Sequence, residues 1–462
     1  MLVLVLVFAG IFTSILTAFI GFVITQGRLV QQDIAAERAL TVAEAGLQYY
    51  RWYLAHFPDD VTHGTGLPGP YVVPFGQPPI GEFELSIAST TYCGQVASLR
   101  VESTGYTFDN PTMRRTISAR YSRPTVAEYS FIINSNVWAG ADRNIFGPYH
   151  SNGGIRMDGT NNSVVTSGQA SWTCTSSFGC NPTIVRDGVF TTTANANPAL
   201  FAFPSPPINF AGLTVDLAQM RSRAIAGGLY FGPSGDWGYR LVINDDNTVT
   251  VRRVTTAPQT GTFSIEDDWH YERNRVGNST AVGTFPIPAD CPLIFVEDKV
   301  WLSGTVNRPV SIATANLGSH SIDPSIILEG SITYTSATSS GLLAVAENNV
   351  LVGLVVPNNM TLQGIFVAQN GRFGRNHYSS GGTHPLPSSL TSYIARNSLT
   401  MIGTIVSNGR VGTQWTSGGV FVSGFSSRSN SYDRNLVDNP PPLVPRTSDV
   451  YELSDWRDES NR

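Results

Sequence analysis

Residues 2–25 read LVLVLVFAGIFTSILTAFIGFVIT, and residues 27–58 continue GRLVQQDIAAERALTVAEAGLQYYRWYLAHFP. The first ionisable side chain of the chain is Arg28. As a helix the apolar run is about 36 Å long at 1.5 Å per residue, enough to cross a bilayer. The helical pattern does not stop there but extends to about Phe57, and Pro58 can end it. Leu29, Ala36, Leu40, Ala43, Leu47, Tyr50 and Leu54 recur at helical spacing, which predicts one apolar stripe. Gln31, Gln32, Asp33, Glu37, Arg38 and Glu44 fall mostly off it. Such a stripe is a packing face, for the chain's own β domain, for neighbouring copies or for both. A cleaved secretory signal fits poorly, because the run lacks a basic start and far exceeds an h-region of about 7–15 residues. A retained membrane helix fits. Neither flank clusters Lys or Arg, so the loops give no orientation signal.

The totals agree with a surface protein. Charged residues make up 14% of 462, well below the average of about 25%. Lys299 is the single lysine, a bias with no structural account. A net charge of −5 gives no overall pull toward nucleic acid, and no nucleic-acid partner is expected. The four cysteines, Cys93, Cys174, Cys180 and Cys291, all follow the apolar run. None forms a Cys-x-x-Cys pair, and no histidine is spaced to complete a zinc site. Four cysteines allow three connectivities. A small Cys174–Cys180 loop with a long-range Cys93–Cys291 staple is one of them, and four free thiols are the alternative.

Within the rod, AAERALTVAEAGLQYYR resembles the helix of type IV pilin-like assembly proteins, the likeness resting on Ala43, Glu44, Ala45, Gly46 and Leu47. The resemblance implies a helix that is first a membrane anchor and then the core of a filament. It implies as partners the membrane and other copies or other pilin subunits, and a bacterial membrane and extracellular location. Family members carry a basic leader and often an acid at the fifth mature position. With Met1 counted first, that position is Val5, and peptidase cleavage is not carried over. The stretch LRVESTGYTFDNPTMRRTISARY is similar to the strands that follow the helix in that family.

Residues 58–81 are rich in Gly and Pro and read as a linker. Phe83–Ile87, Val96–Val101 and Arg115–Tyr121 alternate, which predicts a small antiparallel sheet ending near 125. After Pro124 a motif recurs: apolar, any, Leu or Met, any, Gly. It appears at Val300–Val306, Ile326–Ile332, Met360–Phe366 and Leu399–Ile405, with a partial copy at Ile155–Gly159. Short strands with unequal spacing predict a right-handed parallel β-helix over 126–430; an irregular antiparallel sandwich is the competing arrangement. Residues 183–289 break the motif and read as an insertion. Its contents are a short helix in PPINFAGLTVDLAQMRSRAIAGG and a hairpin over Gly238–Val254. Residues 431–462 read as a Pro-rich tail. The fold class expected is therefore mainly β with a long N-terminal helix. The body's pieces GPYHSNGGIRMDG, GLLAVAENNVLVG and SYDRNLVDNPPPLVP resemble extracellular bodies of some pilin-like proteins, and no activity transfers with that likeness.

Chemistry is weakly signalled. Glu266, Asp267 and Asp268 beside His270 form the densest acidic cluster, and paired carboxylates can cleave glycosides when held at a fixed separation. Adjacent acids are more often a solvated loop. Asn244–Asn247 lacks the pattern of a calcium loop and reads as a hairpin turn. The histidines at 56, 63, 150, 270, 320, 377 and 384 are scattered, and no nucleophile elbow, phosphate loop or dinucleotide fingerprint occurs. Trp172, Phe178, Trp237, Tyr239, Trp269, Tyr271 and Trp415 lie in or beside loops, where aromatics are more often covered than free to stack on sugars. No cofactor or metal is expected. The function expected is a non-enzymatic pilus-like subunit displaying a β body for adhesion to surface glycans or host cells, or as a coat. The alternatives are a membrane-anchored carbohydrate-active β-helix enzyme and a pseudopilin of a secretion system.

Overall fold

The computed structural model describes residues 1–67, 69–213, 216–318 and 321–459. The chain is mainly β with one long helix, and it divides into two compact units. The first comprises residues 1–90, 98–123 and 449–462, and the second comprises 91–97 and 124–448.

In the first unit, helix α1 runs unbroken over Leu2–His56. Every side chain from Met1 to Ile34 is exposed. Burial begins at Ala35, where the helix meets a sheet. The sheet consists of β1 (Tyr71–Phe75), β2 (Gly81–Tyr92), β3 (Gln95–Thr107), β4 (Asn110–Ser122) and a C-terminal strand, Glu452–Asp458, in that order. Alternate residues Phe83, Leu85 and Ile87 of β2, Leu99 and Val101 of β3, and Ile117, Ala119 and Tyr121 of β4 are buried, as a sheet with one covered face requires.

Two expectations change here. Residues 58–81 are not only a linker, because β1 pairs antiparallel with β2. Residues 431–462 are more than a Pro-rich tail. Leu436 is fully buried in the second unit, and Glu452–Asp458 pairs antiparallel with β4 in the first. Arg100 holds Glu459 at 2.7 Å, and Arg115 pairs with Asp458.

The second unit is a stack of parallel rungs, β-helix-like in its pairing. One file of strands runs through Leu229, Ile294, Ile312, Ala344, Phe366, Ile405, Phe131, Tyr149, Val165 and Phe201, each rung parallel to the next. The stack is not in chain order. The rungs at 131–202 lie beyond the rung at 395–407, and the chain then crosses to the opposite end to begin again at Leu229. The crossover separates the partial motif copy at Ile155–Gly159 from the four full copies, whose own unequal spacing comes from connections of different length between rungs. It carries the helix Leu217–Gly227, capped by Asp216, whose side chain accepts from the Gln219 N–H at 2.9 Å.

The crossover also explains the continuous apolar runs LIFV and GLLAVA. Ile294, Val296, Leu342 and Ala344 face the interior of the stack. Leu293, Phe295, Leu343 and Val345 face outward against Leu213, Leu217, Met220, Ala224 and Leu436. Strands covered on both faces do not alternate. The span 183–289 is accordingly not a single insertion. Phe201–Ala202, Leu229–Phe231 and Tyr239–Ile243 are rungs of the stack. Thr248–Val254 with Ser279–Pro286, and Thr260–Ser264 with Asp268–Glu272, are antiparallel pairs added to it. The partial motif at Ile155 belongs to a separate three-stranded ladder with Val137 and Val189.

Candidate functional site

The helix presents two different surfaces. Its buried face is Ala35, Ala39, Val42, Ala43, Gly46, Leu47, Tyr50, Tyr53 and Leu54. Of the predicted stripe, Ala43, Gly46, Leu47, Tyr50 and Leu54 lie in that face. Ala36, Leu40 and Ala45 are half-buried. Leu29 is exposed, because burial by the chain's own sheet begins only at Ala35. Glu44 is exposed as well. Sequence reading missed Ala35, Ala39, Val42 and Tyr53. For Ala35, Ala39 and Val42 the signal was their i, i+4, i+7 recurrence, and for Tyr53 its place three residues after Tyr50.

Small residues matter because the helix touches the sheet backbone. A Cβ on Gly105 of β3 would overlap the Ala43 nitrogen and the Ala39 carbonyl oxygen, and one on Gly46 would overlap Ser103 and Phe83. Tyr121 fixes the register by donating from its hydroxyl to the Leu47 carbonyl at 2.7 Å. At the end of the helix Asp60 accepts from the Tyr53 hydroxyl at 2.6 Å and from the Thr62 and Gly64 N–H groups. These bonds, Tyr53's first, pull its carboxyl down to about 2.

In the second unit the structure joins Cys93 to Cys291 and Cys174 to Cys180. The Cys93 N–H also donates to the Asp290 carbonyl at 2.9 Å. The short loop folds over Trp172, whose ring meets Phe178 edge-on at 5.1 Å.

The acidic trio does not converge. It occupies the turn of the Thr260–Ser264/Asp268–Glu272 hairpin. Glu266 reaches Arg372 at 2.9 Å, while Asp267 is bonded to Ser264 at 3.1 Å. His270 Nδ1 lies 2.9 Å from the Asp268 carbonyl. Asn244 donates to Thr248 and Thr250, as a polar turn. His150 is buried between Thr166 and Asn152, and burial pushes its imidazole pKa down. His320 lies outside the described residues. Among the described residues no group of three or more His, Cys, Asp or Glu is arranged to hold a metal.

What the fold does gather is a cleft of about 410 Å3, lined by Trp138, Phe263, Glu266, Arg372, Arg410 and Trp415. Phe263 and Trp415 meet edge-to-face at 5.5 Å. Trp138 donates its indole N–H to Asp158 at 2.9 Å, and Trp415 donates to the Arg375 carbonyl at 2.8 Å. Arg428, at the cleft, holds Asp142 through two bonds of 2.7 and 2.9 Å. Burial works to raise the Asp142 carboxyl, but Arg428 outweighs it and holds the group below its ordinary value. Arg410 donates to the Ser177 carbonyl at 2.9 Å and lies 4.2 Å over the Phe178 ring. The remaining loop aromatics lie apart from this wall. Trp237 is exposed with Arg273 at 4.0 Å over its ring, Tyr239 packs on Phe231, and Tyr271 lies against His384. Trp269, by contrast, touches the wall: it is Phe263's cross-strand partner in the hairpin and packs on it at 5.6 Å. Trp138, Arg372 and Arg410 stand far apart in sequence, and no local signal marks them.

No protein-family model and no curated protein sequence matches the chain. Among solved structures it is similar to the competence-associated pilin ComZ from Thermus thermophilus, at 15% identity and a TM-score of 0.29, over 92% of this chain and 97% of that one.

Proposed function

We propose that the chain is a membrane-anchored, pilin-like surface subunit. Its N-terminal helix anchors it and enters a filament core, and its β body is displayed for adhesion or as a coat. The observation that carries this reading is the division of one unbroken helix. Residues 2–25 are uncharged and exposed, whereas Ala35 to Leu54 pack on the chain's own sheet. An apolar helix face left in water is disfavoured by about 25 cal/mol per Å2. A bilayer, or the same helices of neighbouring copies, removes that cost. Asp33, Glu37 and Glu44 with Arg28 and Arg51 remain exposed on the polar half, available for charge pairs between copies. Two disulfides suit an oxidising compartment outside the cytoplasm.

We read the body as non-enzymatic. The cleft's Glu266 is engaged by Arg372, and the neighbouring Asp142 by Arg428, so among the described residues this cleft holds no free carboxylate pair of the kind glycoside hydrolysis uses. Turnover of any member of a glycan panel would reverse that reading. The main test deletes residues 1–26. The expected product leaves the membrane and sheared-filament fractions and is recovered soluble. Recovery of the truncated chain in filaments would sink the proposal.

A further inference from the structure

The cleft beside the Thr260–Ser264/Asp268–Glu272 hairpin has the chemistry of a ligand site. At about 410 Å3 it falls within the range of small-molecule pockets, about 300–1,000 Å3. Its wall is aromatic: Trp138, Phe263 and Trp415. Both indole N–H groups are satisfied inside the protein, by Asp158 and by the Arg375 carbonyl. Arg156 lies 4.3 Å over the Trp138 ring, so Phe263 and Trp415 are the rings that offer apolar surface rather than donors, a surface on which the C–H face of a sugar ring packs. Ser176 and Thr416 line the same cleft, as does Gln414, whose amide is held by Asp142, Arg428 and the Phe425 and Ser426 carbonyls.

Charge makes the site more specific. Three arginines line it. Arg372 is matched by Glu266 and Arg428 by Asp142. Among the described residues no carboxylate lies within ion-pair distance of Arg410, whose partners are a carbonyl oxygen and the Phe178 ring. Burial pushes its guanidinium pKa down to about 10, against the opposing charge of Glu266. An arginine half-buried without a carboxylate, at the edge of an aromatic cleft, is poised for a planar anion.

We propose that this cleft binds an acidic saccharide, packing a uronic-acid ring against the Trp415–Phe263 corner and pairing its carboxylate with Arg410. The proposal names the target class for the surface-display reading above and rests on that reading for where the glycan is met. A nucleic acid fits less well. Its backbone needs a row of cations, whereas this cleft has a single uncompensated one and the chain carries a net charge of −5.

The test is calorimetric titration of the full chain in detergent. The probes are tetragalacturonate, its fully methyl-esterified form and a short single-stranded oligonucleotide. The acid is expected to bind at least about tenfold more tightly than the ester, the scale of one charge-assisted pair. Arg410→Gln should weaken the acid by about the same factor and leave the ester unchanged. Arg410→Lys should restore part of the loss, and Trp415→Ala should weaken both sugars. Unchanged melting temperatures separate these effects from misfolding. Equal binding of acid and ester, no binding of either, a silent Arg410→Gln, or preference for the oligonucleotide would overturn the assignment. Acid selectivity in a chain that does not reach the cell surface would overturn the display reading and leave the cleft assignment standing.

Discussion

Glu44 and Gly46 are two residues apart, yet they face different environments. Gly46 is buried against Ser103 and Phe83, where there is no room for a Cβ, and Glu44 is exposed. Gly105→Leu should therefore cost about 2–3 kcal/mol or more, because its new side chain would overlap α1 backbone that cannot move aside. A lowered melting temperature of the first unit would register it. Glu44→Arg should leave that melting unchanged, since exposed substitutions cost within about 0.5 kcal/mol. It should, on the filament reading, reduce recovery in sheared filaments. Asp60 adds a pH signature. Its folded carboxyl is depressed, so its stabilising contribution is present above its unfolded value and is lost as pH falls toward about 2. Asp60→Asn should flatten the acid limb of the first unit's pH–stability curve. Arg375 is a different case, fully buried and donating to the carbonyls of Gly353, Leu354 and Tyr393. Arg375→Met would leave those carbonyls unpaired, at about 1–3 kcal/mol for each group exposed to that penalty.

At the level of elements, the body is held by register. Gly364 and Gly403 are directly paired in neighbouring rungs, with φ of +144° and +130°. A Cβ on Gly403 would overlap the Gly364 carbonyl, so at this pair of rungs the motif glycine marks a bend that stacks on its neighbour, whereas Gly304 pairs with Ile332 rather than with Gly330. The two disulfides constrain loops of very different length, 198 residues against 6. In the chain-entropy picture the long one contributes more, within a range of about 2–5 kcal/mol. Cys93→Ser with Cys291→Ser should thus lower the melting temperature of the second unit further than Cys174→Ser with Cys180→Ser. Equal shifts would show that the crosslinks act only through local packing.

For the whole molecule, the decisive fact is that the first unit is discontinuous, with the second unit's main segment, residues 124–448, inserted before its last strand. Ending the chain after Ser448 removes Glu452–Asp458, together with the Arg100–Glu459 and Arg115–Asp458 pairs. Such a truncation should destabilise the first unit while leaving the melting of the second in place, measured as two transitions in calorimetry. Loss of both transitions would mean the units do not fold separately. The same layout explains what was legible. The rod, the β2–β4 alternation and the hairpin turn at Asn244–Asn247 follow from local periodicity and turn chemistry, which neighbouring residues dictate. The order of the rungs does not. Phe131 pairs with Ile405, and Arg410 meets Ser177, across hundreds of residues. An apolar residue specifies that it will be buried but not by which strand. The sequence by itself therefore determined a long helix with an uncharged half and a β-rich body. Only the tertiary structure decided that the tail closes the first sheet, that the crossover helix covers the rungs, and that an arginine with no ion-paired carboxylate among the described residues stands beside an aromatic wall. Each of those depends on long-range stacking, for which local pattern carries no address.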